Sequence, residues 1–228
     1  MPVPILLALA VAAGVTLAAA GSTDRPPPPA RTPAVPEPPP VPSPRAEPPR
    51  ARPAPPSRAV GLPWAGRLVH GRRLPIRGPG YETWDPILKQ VPNRSRRRWG
   101  TARLVRVVRR VLVAHARRHP GARPVLVGDL SRPRGGDFGP RYGGIGHASH
   151  QNGLDVDVYY PRRDGRPGIA RRPEQVDRAA AQRLVDAFVR AGAQRVFVGP
   201  SLALRGPRRV VSPLVHHDDH LHVRLRGA

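Results

Sequence analysis

No cysteine occurs in the 228 residues. Disulfide staples and thiolate metal sites are therefore excluded, and any metal must be held by imidazole and carboxylate. Aromatic residues make up only 4%, too few to interleave with basic side chains as base-stacking platforms. Lysine is almost absent: Lys89 is the sole lysine among 39 basic residues. Such arginine, with abundant alanine, glycine and proline, fits a GC-rich coding background. Acidic residues number 15, which leaves a net charge of +24. The arginines are scattered through loops, helices and strands, so nucleic acid is not an expected partner. An anionic bacterial wall polymer or membrane surface accounts for the charge equally well.

Proline is the opposite case, with 33 residues crowded toward the N-terminus. Residues 1–22 hold the apolar run ILLALAVAAGVTLAAA, which suits a secretory signal peptide ending in small residues. No Lys or Arg precedes that run, so an uncleaved anchor with membrane contact is the competing reading. Either one puts the rest of the chain outside the cytoplasm, in a periplasm, the cell envelope or the medium. Residues 23–61 are rich in Pro, Ala and Arg. They have too little apolar mass to pack, and are expected to form a disordered, polyproline-like spacer. That leaves residues 62–228 as one folded domain, long enough for a core of its own.

Within it, Thr101 is expected to open a helix with Leu104, Val107, Val108, Val111 and Leu112 on one face, ending before Pro120. Pro173 is expected to start a second, carrying Val176, Ala180, Leu184, Phe188 and Ala191, with Gly192 as the stop. Strand-like runs fall at 124–130, 154–160, 195–198 and 220–225. Strands and helices do not alternate regularly. The fold class expected is α+β, a small, mostly antiparallel sheet flanked by helices, with the functional site on the sheet.

Chemistry concentrates in two stretches, which hold six of the nine histidines. The first is Gly146-His147-Ala148-Ser149-His150-Gln151-Asn152-Gly153-Leu154-Asp155-Val156-Asp157. The second is His216-His217-Asp218-Asp219-His220-Leu221-His222. On a strand, residues two apart share a face, so His220 pairs with His222 and Asp155 with Asp157, while Val156, Val158 and Leu221 point to the core. Gly153 permits a reversal that folds His150 back over the start of the strand. One His and one Asp from this unit, with one His from the last strand, make an N,N,O site with an open fourth position. That is the pattern of a catalytic zinc, whose bound water has a pKa near about 7. His217 and His220 are available as base and acid. Asp155 reads as a supporting carboxylate, Asp218 and Asp219 as turn residues, and His115 and His119 as structural. Two His and one carboxylate also suit a non-haem iron centre, although a step of seven positions from His150 to Asp157 is a wide spacing for one. A wall-binding protein with a vestigial site is the non-enzymatic alternative.

The two long motifs, with His217-Asp218-Asp219-His220-Leu221-His222-Val223-Arg224-Leu225 as the second, resemble those of the penicillin-insensitive murein endopeptidases. These are zinc peptidases of the lysostaphin, D-Ala-D-Ala peptidase and Hedgehog superfamily. Shorter likenesses lie at Leu74-Pro75-Ile76, Arg98-Trp99-Gly100, Gly128-Asp129 and Arg195-Val196-Phe197-Val198. The resemblance implies zinc ligands at His150, Asp157 and His222, a catalytic His220 and an auxiliary His217. His147 matches a position that serves a second metal in the family, and His147 and Asp155 are the candidates for that or for supporting the ligands. No histidine lies between Gln151 and Val215, which counts against a second zinc. Leu214 stands where an aromatic commonly precedes the last histidine cluster. The implied substrate is peptidoglycan, cleaved at D-alanyl–diaminopimelyl cross-links, with a D,D- or L,D-carboxypeptidase as the nearby alternative. A homodimer is compatible with the sequence.

Overall fold

The computed structural model describes residues 54–139 and 147–227. The expected signal or anchor, most of the spacer and the glycines at 143, 144 and 146 lie outside the described residues. No helix among the described residues is long and apolar enough to cross a membrane.

Two short hairpin-like pieces open the domain. Strand β1 (Arg58–Leu62) pairs antiparallel with β2 (Ala65–Val69). The described end of the stretch read as spacer, residues 54–61, thus includes the start of a strand. After β3 (Arg72–Arg73), β4 (Arg77–Gly78) and β5 (Tyr81–Thr83), the two-residue strand β6 (Trp99–Gly100) pairs with β3.

Helix α1 (Ala102–Arg118) follows as its pattern requires. Thr101 caps it, its hydroxyl accepting from the Leu104 N–H at 3.2 Å, a device worth about 1 kcal/mol. Leu104, Val105, Val107, Val108, Val111, Leu112 and His115 are buried, and the arginines face outward. Helix α2 (Arg178–Arg190) starts five residues later than expected. Pro173–Gln175 form only a 3-10 turn, and Val176 is extended and buried, bridging to Arg162. Asp177 is the true cap, accepting from the Ala180 N–H at 2.9 Å. A proline at the start of a turn and a cap four residues on compete, and the buried extended Val176 decides for the later one.

The main sheet adds β7 (Val125–Val127), β8 (Asp155–Tyr159), β9 (Ala193–Val198), β10 (Val211–Pro213) and β11 (His220–Leu225). Its seven strands run in the order β10-β9-β11-β8-β7-β5-β4. The pairings β10–β9 and β5–β7 are parallel and the rest antiparallel. The sheet is therefore mixed and larger than expected, with two helices, compatible with α+β.

Alternation divides its two faces. Val125, Val127, Val156, Val158, Val196, Leu221 and Val223 join the core with residues of both helices. Each such side chain contributes roughly 1.5–3 kcal/mol by leaving water. The opposite positions, Asp155 and Asp157 on β8 and His220 and His222 on β11, are left to the other face. β8 and β11 lie at the centre of the sheet, where register is held by pairing on both sides.

Candidate functional site

Pairing of β11 with β8 sets His222 opposite Asp157, His220 opposite Tyr159 and Arg224 opposite Asp155. One register thus delivers two histidines and two carboxylates to adjacent positions. The third histidine comes from the loop ahead of β8. His150 is fully buried on left-handed backbone, with φ of 70°, a conformation that costs a residue with a Cβ on the order of 1 kcal/mol. The surroundings impose it. The backbone N–H of His150 donates to Asp155 Oδ2 at 3.2 Å, and the ring Nδ1 donates to Leu130 O at 2.6 Å. Gly153, with φ of 77°, makes the reversal. A Cβ there would stand 2.7 Å from Leu68 Cδ1 and 3.2 Å from Thr101 N, so the turn needs glycine twice over.

Three atoms then converge. His150 Nε2 lies 3.2 Å from Asp157 Oδ1, His222 Nδ1 lies 3.3 Å from the same oxygen, and the two nitrogens are 3.3 Å apart. Ligands about 2.0–2.1 Å from a tetrahedral metal ion stand roughly 3.3 Å from one another. Asp157 Oδ1 is also a buried oxygen with no hydrogen-bond partner, the condition a metal would relieve. The residues present therefore fit a metal. The far nitrogen of each imidazole is committed, His150 Nδ1 to Leu130 O and His222 Nε2 by donating to Asp155 Oδ1 at 2.9 Å, which turns the other nitrogen of each ring to the point of convergence. Asp155 is in turn held by Arg224 Nε at 2.6 Å.

His147 offers a second grouping. With His150 and Asp157 it forms a trio whose ligand atoms lie within 4.8 Å. That trio is looser than the one with His222. His147 Nδ1 is 3.8 Å from Asp157 Oδ2, and its Nε2 donates to Asp129 Oδ2 at 2.7 Å. Asp129 is buried, and Arg97, fully buried, forms an ion pair with it while Asn93 donates to it at 3.0 Å. Sequence reasoning gave no role to Asp129 beyond a short likeness at Gly128-Asp129, and none to Arg97.

Tyr159, His216, Asp218, Asp219 and His220 line one side of a cleft that also includes Asp157, about 530 Å³ in volume. His220 donates from Nδ1 to Asp219 Oδ1 at 2.6 Å, with Nε2 3.8 Å from Asp157 Oδ1. His217 donates from Nδ1 to Val215 O at 2.8 Å, and its ring centre is 4.7 Å from that of His220. Asp219, read from the sequence as a turn residue, is thus the partner of a site histidine. Asp218 accepts from the Ser201 N–H and hydroxyl and serves the loop instead. A wider groove of about 840 Å³ follows the arginine face of α1 but is lined by no histidine or carboxylate.

Charges in the site pull against burial. Burial pushes the Asp157 carboxyl up, but His150, His220 and His222 outweigh it and hold it well below the usual range. Burial pushes His222 down, and Asp155 and Asp157 raise it to about 9. His220 is likewise lowered by burial and raised further by Asp157 and Asp219, ending above its ordinary value. His217, where burial dominates, ends below. Two neighbouring imidazoles with oppositely displaced pKa values are suited to an acid and a base. His115 and His119 stand apart on α1, with ring centres 4.8 Å apart.

The family model of the penicillin-insensitive murein endopeptidases matches residues 59–197. Curated proteins of that name from Salmonella heidelberg and Klebsiella pneumoniae subsp. pneumoniae are each 28% identical over 196 residues. Those alignments cover 75% of this chain and 66% of the relatives, so the chain spans about two thirds of their length. The span matched by the family model holds His147, His150, Asp155 and Asp157; His217, His220 and His222 follow it.

Proposed function

The chain belongs to the penicillin-insensitive murein endopeptidase family, and from that premise we propose that it hydrolyses D-alanyl–diaminopimelyl cross-links of peptidoglycan, using zinc held by His150, Asp157 and His222. The observation that carries the reading is the triangle of His150 Nε2, Asp157 Oδ1 and His222 Nδ1, with edges of 3.2–3.3 Å. Zinc bound there would supply a Lewis acid and a water acidified toward a pKa of about 7.

The remaining work falls to the chain's own groups. His150 and His222 would present Nε2 and Nδ1 to the metal, their other N–H groups taken by Leu130 O and Asp155, and His222 would give up a proton on binding. Asp157 brings one negative charge to the ligand set. His220, its Nδ1 committed to Asp219, keeps Nε2 for a proton beside that carbonyl. There it donates to the oxygen as charge develops, or passes the proton to the leaving nitrogen. His217 has Nε2 available to accept a proton from the attacking water. His147, its Nε2 committed to Asp129, borders the site beside Asp157 rather than serving a second metal.

The same reading makes residues 1–22 an export signal or anchor, 23–61 a spacer and 62–228 the peptidase domain, acting in the periplasm or outside the cell. The test is digestion of purified peptidoglycan with and without a zinc chelator, with the products separated by mass. Loss of dimeric muropeptides, abolished by chelation, is the expected result. Release of free alanine without loss of dimers makes the enzyme a carboxypeptidase, and an unchanged wall sinks the proposal.

A further inference from the structure

The cleft carries more charge than the site uses. Four carboxylates line it, Asp129, Asp157, Asp218 and Asp219, and each is already engaged. Asp129 is held by Arg97 and His147, Asp218 by Ser201 and Asp219 by His220, while Asp157 faces His150 and His222 as the proposed metal ligand. Two cations also line the cleft, Lys89 and Arg171. Among the described residues neither side chain has an ion-pair or hydrogen-bond partner. The cleft therefore presents two uncommitted positive groups and no uncommitted negative one.

The Lys89 position does not read as accident. An incidental cation in this chain is an arginine, yet the sole lysine of the sequence stands here. Its loop is built. Asp85 is fully buried and accepts the N–H groups of both Ile87 and Leu88 at 2.9 Å. Arg94 locks the same carboxylate from the side, and the Asp85 N–H closes the loop on Gln90 O at 2.8 Å. Lys89 itself sits on left-handed backbone, with φ of 54°, while its side chain stays exposed. Arg171 belongs to the connection after β8, where its backbone N–H donates to Gln175 Oε1 at 2.8 Å.

From this placement we infer that Lys89 and Arg171 form a carboxylate-recognition subsite, selecting cross-linked peptides with a free carboxylate next to the scissile amide over amidated ones. The inference rests on the proposed hydrolysis of diaminopimelyl cross-links. In such a link the acylated amine of diaminopimelate shares its carbon with a carboxyl group, so a free carboxylate lies within a few bonds of the cleaved nitrogen. Ammonium and guanidinium groups bind carboxylates by charge-assisted hydrogen bonds, and amidation removes the charge. Both residues only position and select substrate; neither touches the reacting atoms.

The experiment uses the full zinc-loaded chain and two synthetic cross-linked peptides that differ only in a free or amidated carboxyl on that carbon. Wild type is expected to favour the free acid by roughly 10-fold in kcat/KM, chiefly through KM, as one charged hydrogen bond implies. K89M with R171Q is expected to bring that ratio close to one, and K89E with R171E to invert it. A wild-type ratio of one, or a preference that survives both double variants, overturns the inference. If neither peptide is cleaved, the hydrolase reading fails instead. Calorimetric titration with the two diaminopimelyl product peptides then decides the subsite: preference for the free acid, lost in K89M/R171Q, supports it, and equal binding overturns it.

Discussion

His222 faces Asp157 directly across the β8–β11 pair, its Nδ1 3.3 Å from Asp157 Oδ1. The pair has no slack: a one-residue slip of β11 would send His222 into the helix layer and bring Leu221 or Val223 to the site. H222A therefore removes one corner of the triangle without disturbing the register. Bound zinc, measured by elemental analysis of purified protein, is expected to fall to background, and wall hydrolysis with it. Chelation of the wild type is expected to lower Tm, because a ligand at 1,000 times its Kd stabilises the folded state by about 4 kcal/mol. A chelated protein that melts where the untreated one does would contradict a metal at this site.

Asp155 tests the support behind the ligands. It accepts from His222 Nε2, Arg224 Nε and the His150 N–H, so it orients two of the three expected ligands. D155N can satisfy only part of that set. Zinc affinity is expected to weaken about 10- to 100-fold, while far-ultraviolet circular dichroism keeps the sheet and helix signature. Unchanged zinc affinity in a competition titration would reduce Asp155 to a purely structural residue.

Parts of this arrangement were legible in the sequence because they repeat a short period. D-x-D and H-x-H, with Val156 and Leu221 inside them and Val158 and Val223 after them, announce strands with one chemical and one apolar face, and these four residues are indeed in the core. Gly153 was legible for the same local reason. What escaped were relationships between distant positions. Arg97 and Asp129 pair across 32 residues, and no spacing rule connects them. Asp219 looks like any turn aspartate until the start of β11 turns His220 back onto it. The start of α2 was misread because Pro173 is a local signal, whereas burial of Val176 is set by the rest of the domain. Local chemistry was readable; convergence depended on the fold.

The Arg97–Asp129 pair is expected to be the most sensitive buried contact outside the triangle. Both residues are at most 1% exposed, and Asp129 also orders His147 and Asn93. Breaking such a pair leaves a buried charge uncompensated, at a cost of about 3–5 kcal/mol. R97M is expected to lower the urea midpoint accordingly. R97M combined with D129N is expected to recover part of the loss, since no bare charge then remains. If the double variant is as unstable as the sum of the singles, the cost lies in packing of the Arg97 stem rather than in its charge.

Stability should also depend on pH through a histidine remote from the zinc site. His115 lies on the buried face of α1, and burial, then His119 and Arg183, push it down to about 4, with Asp177 opposing. Its folded-state pKa is thus below the ordinary value near 6.5. Above that value neither state binds the proton and the residue contributes no pH dependence. As pH falls from about 6.5 toward 4, the unfolded chain takes up a proton that the folded chain refuses, so the native state loses ground. The loss is on the order of 1–2 kcal/mol once screening at this helix edge is allowed for. H115Q, neutral at every pH, is expected to flatten that part of the curve. The check is the difference in Tm between wild type and H115Q, measured in steps from pH 7.5 to 4.5. It should change in favour of H115Q only in the acidic half. A constant difference across the range would mean that His115 titrates alike in the folded and unfolded chain.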